Sequence, residues 1–152
     1  MRRFIIAALL ALPLTAQPAF AQRLAFEPRE AQSGLFDWEH ATYLVTLMYQ
    51  GALFREPEPQ GLNNWARMIV RDGYQGLLNA AYGIGGSTEF RTIVQRRYRT
   101  DEIIDNLYWV LLGRDPDWSG RNHWGAMLRQ GRGGDTLRGI VGSQEFYQIH
   151  IR

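Results

Sequence analysis

The amino-acid sequence predicts an all-α protein: two tandem helical repeats packed as one compact domain, after a cleaved signal peptide. Three observations predict it. Apolar residues recur at helical spacing along most of the chain. The stretch REPEPQGLNNW at residues 55–65 returns as RDPDWSGRNHW at residues 114–124, a separation of 114 − 55 = 59 residues. A short apolar run lies near the N-terminus, and alternation typical of strands is nowhere sustained.

The first residues have the pattern of an export signal. Two arginines precede an apolar run over residues 4–14, and residues 19–21, Ala-Phe-Ala, place small side chains where a signal peptidase inspects the chain. The apolar run has roughly half of the ~20 residues that a membrane-spanning helix needs, which favours a cleaved signal over an anchor. We therefore expect residues 1–21 to be removed, leaving a periplasmic or secreted protein with no membrane span.

Composition narrows the classes of function. The chain has 17 basic residues, all arginine, and 15 acidic ones. The signal carries two of the arginines and no acid, so the mature protein is formally neutral. A neutral chain has little long-range attraction for phosphate backbones, so we expect no nucleic-acid partner. Because there is no cysteine and the three histidines are far apart in sequence, we expect no structural zinc and no cofactor.

The repeat sets the expected domain boundaries. Residues 22–34 are polar and irregular, which indicates a flexible arm after the signal. The first repeat is expected over residues 35–98 and the second over residues 99–152. The mature length suits one modest domain or two half-domains that share a core.

Each repeat is expected to open with an amphipathic helix. From Asp37 to Leu53, and again after Thr100, apolar residues recur in pairs four apart, which places them on one helical face. Thr100 is the expected N-cap of the second of these helices. Asp101 and Glu102 follow it and suit the positive end of the helix dipole.

The repeated motif is expected to join that helix to a second one. Proline disfavours a helical residue before it, so Pro57 and Pro116 mark the break between helices. Glycine would cost about 1 kcal/mol against alanine in an exposed helix, so the two motif glycines suggest close packing of the preceding helix. The two motif tryptophans are expected to anchor the core. The residues expected to build the motif are Arg55, Pro57, Gly61, Trp65, Asp115, Pro116, Asp117, Gly120 and Trp124.

A second pair of sequences closes the copies. STEF at residues 87–90 corresponds to SQEF at residues 143–146, a separation of 143 − 87 = 56, so the second copy is three residues shorter between its motifs. We expect the deletion in a glycine-rich loop around Gly131, Gly133 and Gly134, where loops tolerate it.

A serine opens each closing sequence. Ser87 and Ser143 are expected to cap short final helices, which Phe90 and Phe146 dock. Each copy is therefore predicted to run helix, turn, tryptophan-bearing helix, short helix and serine-capped helix.

Together these motifs resemble a known family. A helix ending in Leu-Gly-Arg, then Asp-Pro-Asp-x-x-Gly, a Trp one turn later and Ser-x-Glu-Phe, resembles the secreted bacterial domain-of-unknown-function 4214 family, which is similar to the linker domain of cyanobacterial phycobilisomes. The second copy, from Leu112 to Phe146, is the closer match, because the first has Phe54 for the glycine and glutamates for the two aspartates. The resemblance implies a helical fold and a place among exported, adhesive, calcium-toxin-like or assembly proteins. It implies no defined activity, and chromophore linking does not carry over to an exported chain.

Two candidate chemical sites compete with simple helix capping. DPDWSG at residues 115–120 copies the opening of a calcium loop, but Ala126 stands where the loop needs a bidentate acid. Asp37, Glu39 and His40 cluster at a helix start without a second partner for acid–base chemistry. We expect helix termini at both places, with no metal and no catalytic residue.

An aromatic and arginine surface is the remaining candidate. Trp109 and Trp118 correspond to Gln50 and Pro59 in the first copy. A position that holds Trp in one copy and a non-aromatic residue in the other is expected to be exposed, and exposed Trp is enriched in binding hot spots. Ordinary packing between the repeats is the alternative. The candidate interaction patch consists of Trp109, Trp118, Arg114 and Arg121.

The sequence thus predicts an exported, non-enzymatic module for protein–protein interaction or structural assembly, with an envelope or extracellular protein as its partner. An envelope glycan-binding or enzyme-accessory protein is the alternative, so a glycan ligand stays open. An enzyme is third, because no Ser/His/Asp order, metal set or paired carboxylates emerge.

Overall fold

The computed structural model describes residues 34–152, and helices make up most of that part. None of residues 34–152 lies in a β-strand, which confirms the all-α prediction. The predictions of a signal peptide and of nearly all of the arm fall on residues 1–33, outside the described residues. No helix in the described part is both long and apolar enough to cross a membrane.

The helices follow one another with short connections. They are α1 (Trp38–Leu53), α2 (Pro59–Gly85), α3 (Gln95–Arg97), α4 (Thr100–Leu112), α5 (Trp118–Arg129), α6 (Gly133–Val141) and α7 (Gln144–His150). A π-helical turn, Phe90–Val94, directly precedes α3. α2 is kinked at Gly73, whose φ of 59° and ψ of −136° suit a residue without a Cβ. The non-helical backbone of Gly73 therefore separates the tryptophan-bearing part of α2 from the helical part that follows it.

Helices α1 and α4 pack against each other. A Cβ on Gly51 of α1 would lie 3.4 Å from Leu111 Cγ and 3.6 Å from Leu107 Cδ2. Asn106 of α4 donates from Nδ2 to the carbonyl oxygens of Gln50 at 2.9 Å and Gly51 at 2.8 Å. Those carbonyls belong to the last turn of α1 and have no partner within that helix. The Asn106 amide therefore completes the end of α1 from the neighbouring helix.

Helices α2 and α6 make the most extensive contact between helices of the described chain. Their backbones meet at Gly85 and Gly133, where a Cβ on Gly85 would lie 2.5 Å from the Gly133 carbonyl oxygen. Gly133 and Gly134 are buried at the start of α6, and this corrects the prediction that they lie in a loop. Only Gly131, with φ of 74°, lies in the connection. The other two are glycines because the helices cross too closely for side chains.

Carboxylates set the starts of α1 and α4. Asp37 caps α1 by accepting the His40 backbone N–H at 2.8 Å, as expected for a helix terminus. The N-cap of α4 is Arg99, which corrects the prediction of Thr100. The Glu102 carboxylate accepts the Arg99 backbone N–H at 2.7 Å, which is the returning half of a capping box. Glu102 therefore determines where α4 begins.

The two ends of the described chain meet at a histidine pair. His40 Nε2 donates to the His150 carbonyl oxygen at 2.6 Å, across 110 positions of sequence. His150 Nε2 donates to the Leu111 carbonyl oxygen at 2.8 Å, so neutral His150 carries its proton there. Its Nδ1 then accepts the Tyr43 hydroxyl at 3.3 Å. Burial lowers the pKa of His150.

Candidate functional site

An arginine begins each motif and binds a glutamate of the closing sequence. Arg55 donates from Nε and Nη2 to the two carboxylate oxygens of Glu89, at 2.6 and 2.7 Å. Arg114 donates in the same way to Glu145, at 2.5 and 2.8 Å. Two parallel bonds between a guanidinium and a carboxylate are stronger and more directional than a single one. Each pair ties a motif turn to the closing sequence that follows it.

A tyrosine ring lies beside each of these arginines. The guanidinium of Arg55 is 5.1 Å from the centroid of Tyr49, and that of Arg114 is 5.1 Å from the centroid of Tyr108. Burial raises the pKa of both tyrosine hydroxyls. The bound glutamates raise the pKa of both arginines, so the cations persist at every ordinary pH.

The motif glycines leave room for the tyrosines of the preceding helix. A Cβ on Gly61 would lie 2.5 Å from the Tyr49 hydroxyl oxygen. A Cβ on Gly120 would overlap the hydroxyl oxygen of Tyr108. Both contacts agree with the expectation that glycine stands here to let the preceding helix pack closely.

The breaks between helices fall where the prolines predict them. Pro57 lies between α1 and α2, and Pro116 lies between α4 and α5. Each preceding helix ends in a left-handed residue, at Gly113 with φ of 67° and at Phe54 with φ of 57°. Glycine adopts this backbone freely, whereas phenylalanine is strained there. The Phe54 ring stacks on Tyr98, with ring centroids 4.0 Å apart.

The acid before the second helix has a different contact in each motif. Asp117 caps α5, accepting the Gly120 backbone N–H at 2.6 Å. Glu58 makes no side-chain cap on α2 and instead pairs with Arg55 at 2.7 Å. Asp117 thus acts as a helix cap, as expected for a helix terminus. Within residues 34–152, no three histidine, aspartate or glutamate side chains are grouped to hold a metal ion.

The motif tryptophans pack against a second pair of glycines. A Cβ on Gly83 would lie 2.5 Å from Trp65 Cη2, and a Cβ on Gly139 would overlap Trp124 in the same way. Trp124 is 5% exposed, and its Nε1 donates to the Tyr108 hydroxyl at 3.1 Å. Trp65 is only half-buried. The expected core anchor is therefore present at Trp124 and incomplete at Trp65.

The closing sequences are capped and docked as expected. Ser87 Oγ accepts the Phe90 backbone N–H and Ser143 Oγ accepts the Phe146 backbone N–H, both at 3.1 Å. Both phenylalanine rings are buried. The two closing sequences then differ, because the first continues as the π-helical turn Phe90–Val94 and the second as the regular helix α7.

The two tryptophans of the predicted interaction patch are exposed. Trp109 on α4 is 65% exposed and Trp118 on α5 is 83% exposed. Asp105 lies one turn before Trp109, and Arg121 lies one turn after Trp118. Arg121 Nη1 and Asp105 Oδ1 form an ion pair at 2.6 Å across the two helices. Both tryptophans therefore lie about one helical turn from this pair, near the α4–α5 junction.

The two arginines predicted for the patch are held within the chain. Arg114 is bound to Glu145, and 36% of its side chain remains exposed. Arg121 stays at the patch, paired with Asp105. Asp105 was not singled out from the sequence. Its position one turn before Trp109 was the available signal.

Comparison with known families gives a match over the part of the chain that holds the second motif. Residues 81–149 match the family model described as Domain of unknown function (DUF4214). The DUF4214 match begins in α2 and includes the second motif, its closing sequence and both exposed tryptophans. Searches of curated proteins and of solved structures gave no match. The family resemblance is therefore supported over that part of the chain.

Proposed function

We propose that this protein is an exported, non-enzymatic interaction module that binds an envelope or extracellular protein through Trp109 and Trp118. The observation that carries the proposal is the exposure of these two rings, 65% and 83%, on a fold whose other motif tryptophans pack against glycine. Exposed tryptophan is enriched where proteins bind one another. The corresponding first-copy residues, Gln50 and Pro59, offer no aromatic surface.

The polar groups of the patch suit a protein interface. Asp105 and Arg121 are both partly exposed, so their ion pair contributes only ~0–1 kcal/mol to folding. The pair lies beside two large apolar rings, and an aromatic centre with a polar rim is the usual composition of such interfaces. We assign the rings to affinity and the ion pair to orientation of the partner.

We also propose that the fold consists of two tandem repeats sharing one core. Support comes from four contacts that recur in both motifs: the arginine–glutamate pair, the tyrosine beside the arginine, the glycine against the tyrosine hydroxyl, and the tryptophan against a second glycine. Contacts of one kind at matching sequence positions are expected when a unit has been duplicated.

Export through a cleaved signal is a separate proposal with its own test. It rests on the apolar run and the Ala-Phe-Ala site before Gln22. The intact mass and N-terminal sequence of protein recovered from the producing cells check it. We expect a chain that begins at Gln22 in the periplasm or the medium, and a cytoplasmic chain that keeps its first residues would contradict the proposal.

Partner capture tests the interaction function. Mature wild-type protein and the Trp109→Ala/Trp118→Ala variant serve as baits for the envelope fraction of the producing cell. A matched control, Trp38→Ala/Tyr82→Ala, removes two aromatic side chains that are 46% and 50% exposed elsewhere. We expect the wild type and the control to capture one common protein that the patch variant does not, and the purified partner to bind directly. Equal capture by all three baits would contradict the proposal.

An envelope glycan is the second candidate ligand. Two exposed indole rings beside a carboxylate–guanidinium pair also offer stacking surfaces and hydrogen-bonding groups for a sugar. A binder or enzyme accessory of this kind would show a change in tryptophan fluorescence when soluble cell-wall oligosaccharide is added. Loss of that change in Trp109→Ala/Trp118→Ala, together with no captured protein, would favour the glycan over the protein partner.

A further inference from the structure

We infer that the partner of the tryptophan patch is a second copy of this chain, which docks through an arginine-rich strip at residues 91–99. The inference rests on the proposed function, because it takes the patch to be a binding surface. It identifies the partner from a second surface of the same molecule, whose charge is complementary to that of the patch.

The arginine strip, RTIVQRRYR, contains four arginines and no acidic residue. All four arginines are exposed, and Ile93, which lies between Arg91 and Arg96, is 56% exposed. Within the described residues, the strip has one acidic partner, Asp101, which lies 3.7 Å from Arg99. Arg97 stands over the neighbouring ring of Tyr98, 5.6 Å from its centroid. The four arginines are Arg91, Arg96, Arg97 and Arg99.

The π-helical turn orients the strip outwards. Phe90 and Val94 are buried, and Gln95 Nε2 donates to the Leu128 carbonyl oxygen at 3.1 Å, so one face of the segment is held on the core. The arginines and Ile93 occupy what remains exposed. The corresponding residues 147–152, YQIHIR, contain a single arginine. The strip is therefore not required by the fold that the two copies share, and π-helical turns often mark functional sites.

The surroundings of the tryptophan patch carry the opposite charge. Residues 105–121 contain three acidic residues, Asp105, Asp115 and Asp117, and two arginines, Arg114 and Arg121, each of which is already paired with a carboxylate. Asp115 and Asp117 are exposed on either side of Pro116, next to Trp118, and neither forms an ion pair within residues 34–152. Asp117 Oδ1 accepts the Gly120 backbone N–H, which leaves the second carboxylate oxygen for a partner. Carboxylates beside indole rings form a receptor for guanidinium groups.

The positions of the two surfaces favour contact between copies. The strip ends at Arg99, where α4 begins, and Trp109 lies in the last turn of α4. A helix of 13 residues is ~20 Å long, so the strip and the patch of one copy are held apart. Two copies can join head to tail, with arginines of one against the indoles and aspartates of the other. Such a heterologous contact leaves one strip and one patch free, so it can extend to further copies.

Molar mass against concentration tests the inference first. The mature wild-type protein is measured by light scattering and by sedimentation velocity, at low and at high salt. We expect mass to rise with concentration beyond that of a dimer, and to fall again as salt screens the arginine–aspartate contacts. A wild-type protein that stays monomeric throughout overturns the inference.

Two complementary variants then test the head-to-tail geometry. Arg96→Gln/Arg97→Gln weakens the strip, and Trp109→Ala/Trp118→Ala removes the patch. We expect each variant alone to be monomeric and their equimolar mixture to form a one-to-one dimer that does not grow, because the mixture holds one intact strip and one intact patch. A matched control, Arg129→Gln/Arg138→Gln, removes the same charge from exposed arginines of α5 and α6 and should assemble as the wild type does.

Four outcomes contradict the inference, and one of them supports the proposed function. Assembly of either variant to the wild-type extent would contradict the strip–patch contact. Failure of the mixture to associate would contradict it too. Binding of monomeric wild type to phosphatidylglycerol vesicles, lost in Arg96→Gln/Arg97→Gln, would assign the strip to lipid instead. Monomeric protein that still captures a foreign envelope protein through Trp109 and Trp118 would contradict self-association while supporting the proposed function.

Discussion

In the first motif Arg55 binds Glu89, and in the second Arg114 binds Glu145, through the same pair of nitrogen atoms. The surroundings of these two pairs differ. The second motif ends its first helix with Gly113 and buries Trp124, whereas the first uses strained Phe54 and leaves Trp65 half-buried. The buried contacts that the two motifs share are thus compatible with different helix ends and with different burial of the motif tryptophan.

The two motifs differ more in their exposed residues than in their buried ones. Trp109 and Trp118 stand where the first motif has Gln50 and Pro59, and they contribute little to packing because most of each ring is exposed. We draw from this comparison a division of roles: shared contacts hold the fold, and the exposed rings of the second motif bind.

Truncating the motif tryptophans should produce the largest and most unequal losses of stability. Trp124→Ala should lower the free energy of unfolding by about 3–5 kcal/mol, because it empties a buried site and leaves Tyr108 without its indole donor. Trp65→Ala should cost less, because Trp65 is only partly buried. Urea unfolding monitored by circular dichroism checks both. Equal losses would mean that the two motifs are packed alike.

The glycines beneath these tryptophans should respond in the same order. Gly139→Ala should destabilise by about 1–3 kcal/mol, since its Cβ would press on buried Trp124. Gly83→Ala should cost less than ~1 kcal/mol, because Trp65 has solvent on one side and can shift. Unfolding midpoints of the two variants give the comparison. A larger loss at Gly83 would reverse our assignment of the tighter motif.

The helix ends should show a third difference. Gly113→Ala should cost roughly 1–2 kcal/mol, because alanine at φ of 67° is strained. Phe54→Gly should change stability by less than ~1 kcal/mol, as relief of strain offsets loss of the stacking on Tyr98. Thermal unfolding of both variants is the measurement. A severe loss in Phe54→Gly would show that the stacked ring, rather than the shared frame, holds the first motif.

Acid should weaken the second closing helix through His150, which corresponds to buried Val94 in the first copy. The pKa of His150 is lowered in the folded protein, chiefly by burial, so the unfolded chain binds its proton more readily. This contribution to stability is complete above about pH 6.5 and is lost as pH falls from there through the folded pKa. Unfolding of wild type and His150→Gln across that range should show a steeper acid loss in the wild type. Parallel profiles would contradict the assignment.

The features that could be predicted from the sequence are those that recur in both motifs. Pro57 and Gly61 could be assigned from spacing, because each has a counterpart in the second motif and a local backbone reason to be there. Contacts between residues that are far apart in sequence could not be predicted in this way. The contact of Arg55 with Glu89 spans 34 positions, and that of His40 with His150 spans 110, so only the packing of helices brings them together.

The glycines of α6 show the same limit. A glycine-rich sequence is typical of a loop, yet Gly133 lies in a helix because α2 crosses it at Gly85. Nothing local distinguishes a glycine selected for a turn from one selected for a close crossing. Exposure of Trp109 and Trp118 was predictable for the opposite reason, since comparison of the two copies indicates which positions the shared core does not need.

The free energy of unfolding of Trp109→Ala/Trp118→Ala, beside that of the wild type, tests the division of roles most directly. If the two rings serve binding alone, the variant should match the wild type within about 0.5 kcal/mol and keep its helical circular dichroism. A loss close to that of Trp124→Ala would place both rings in the core and contradict the account.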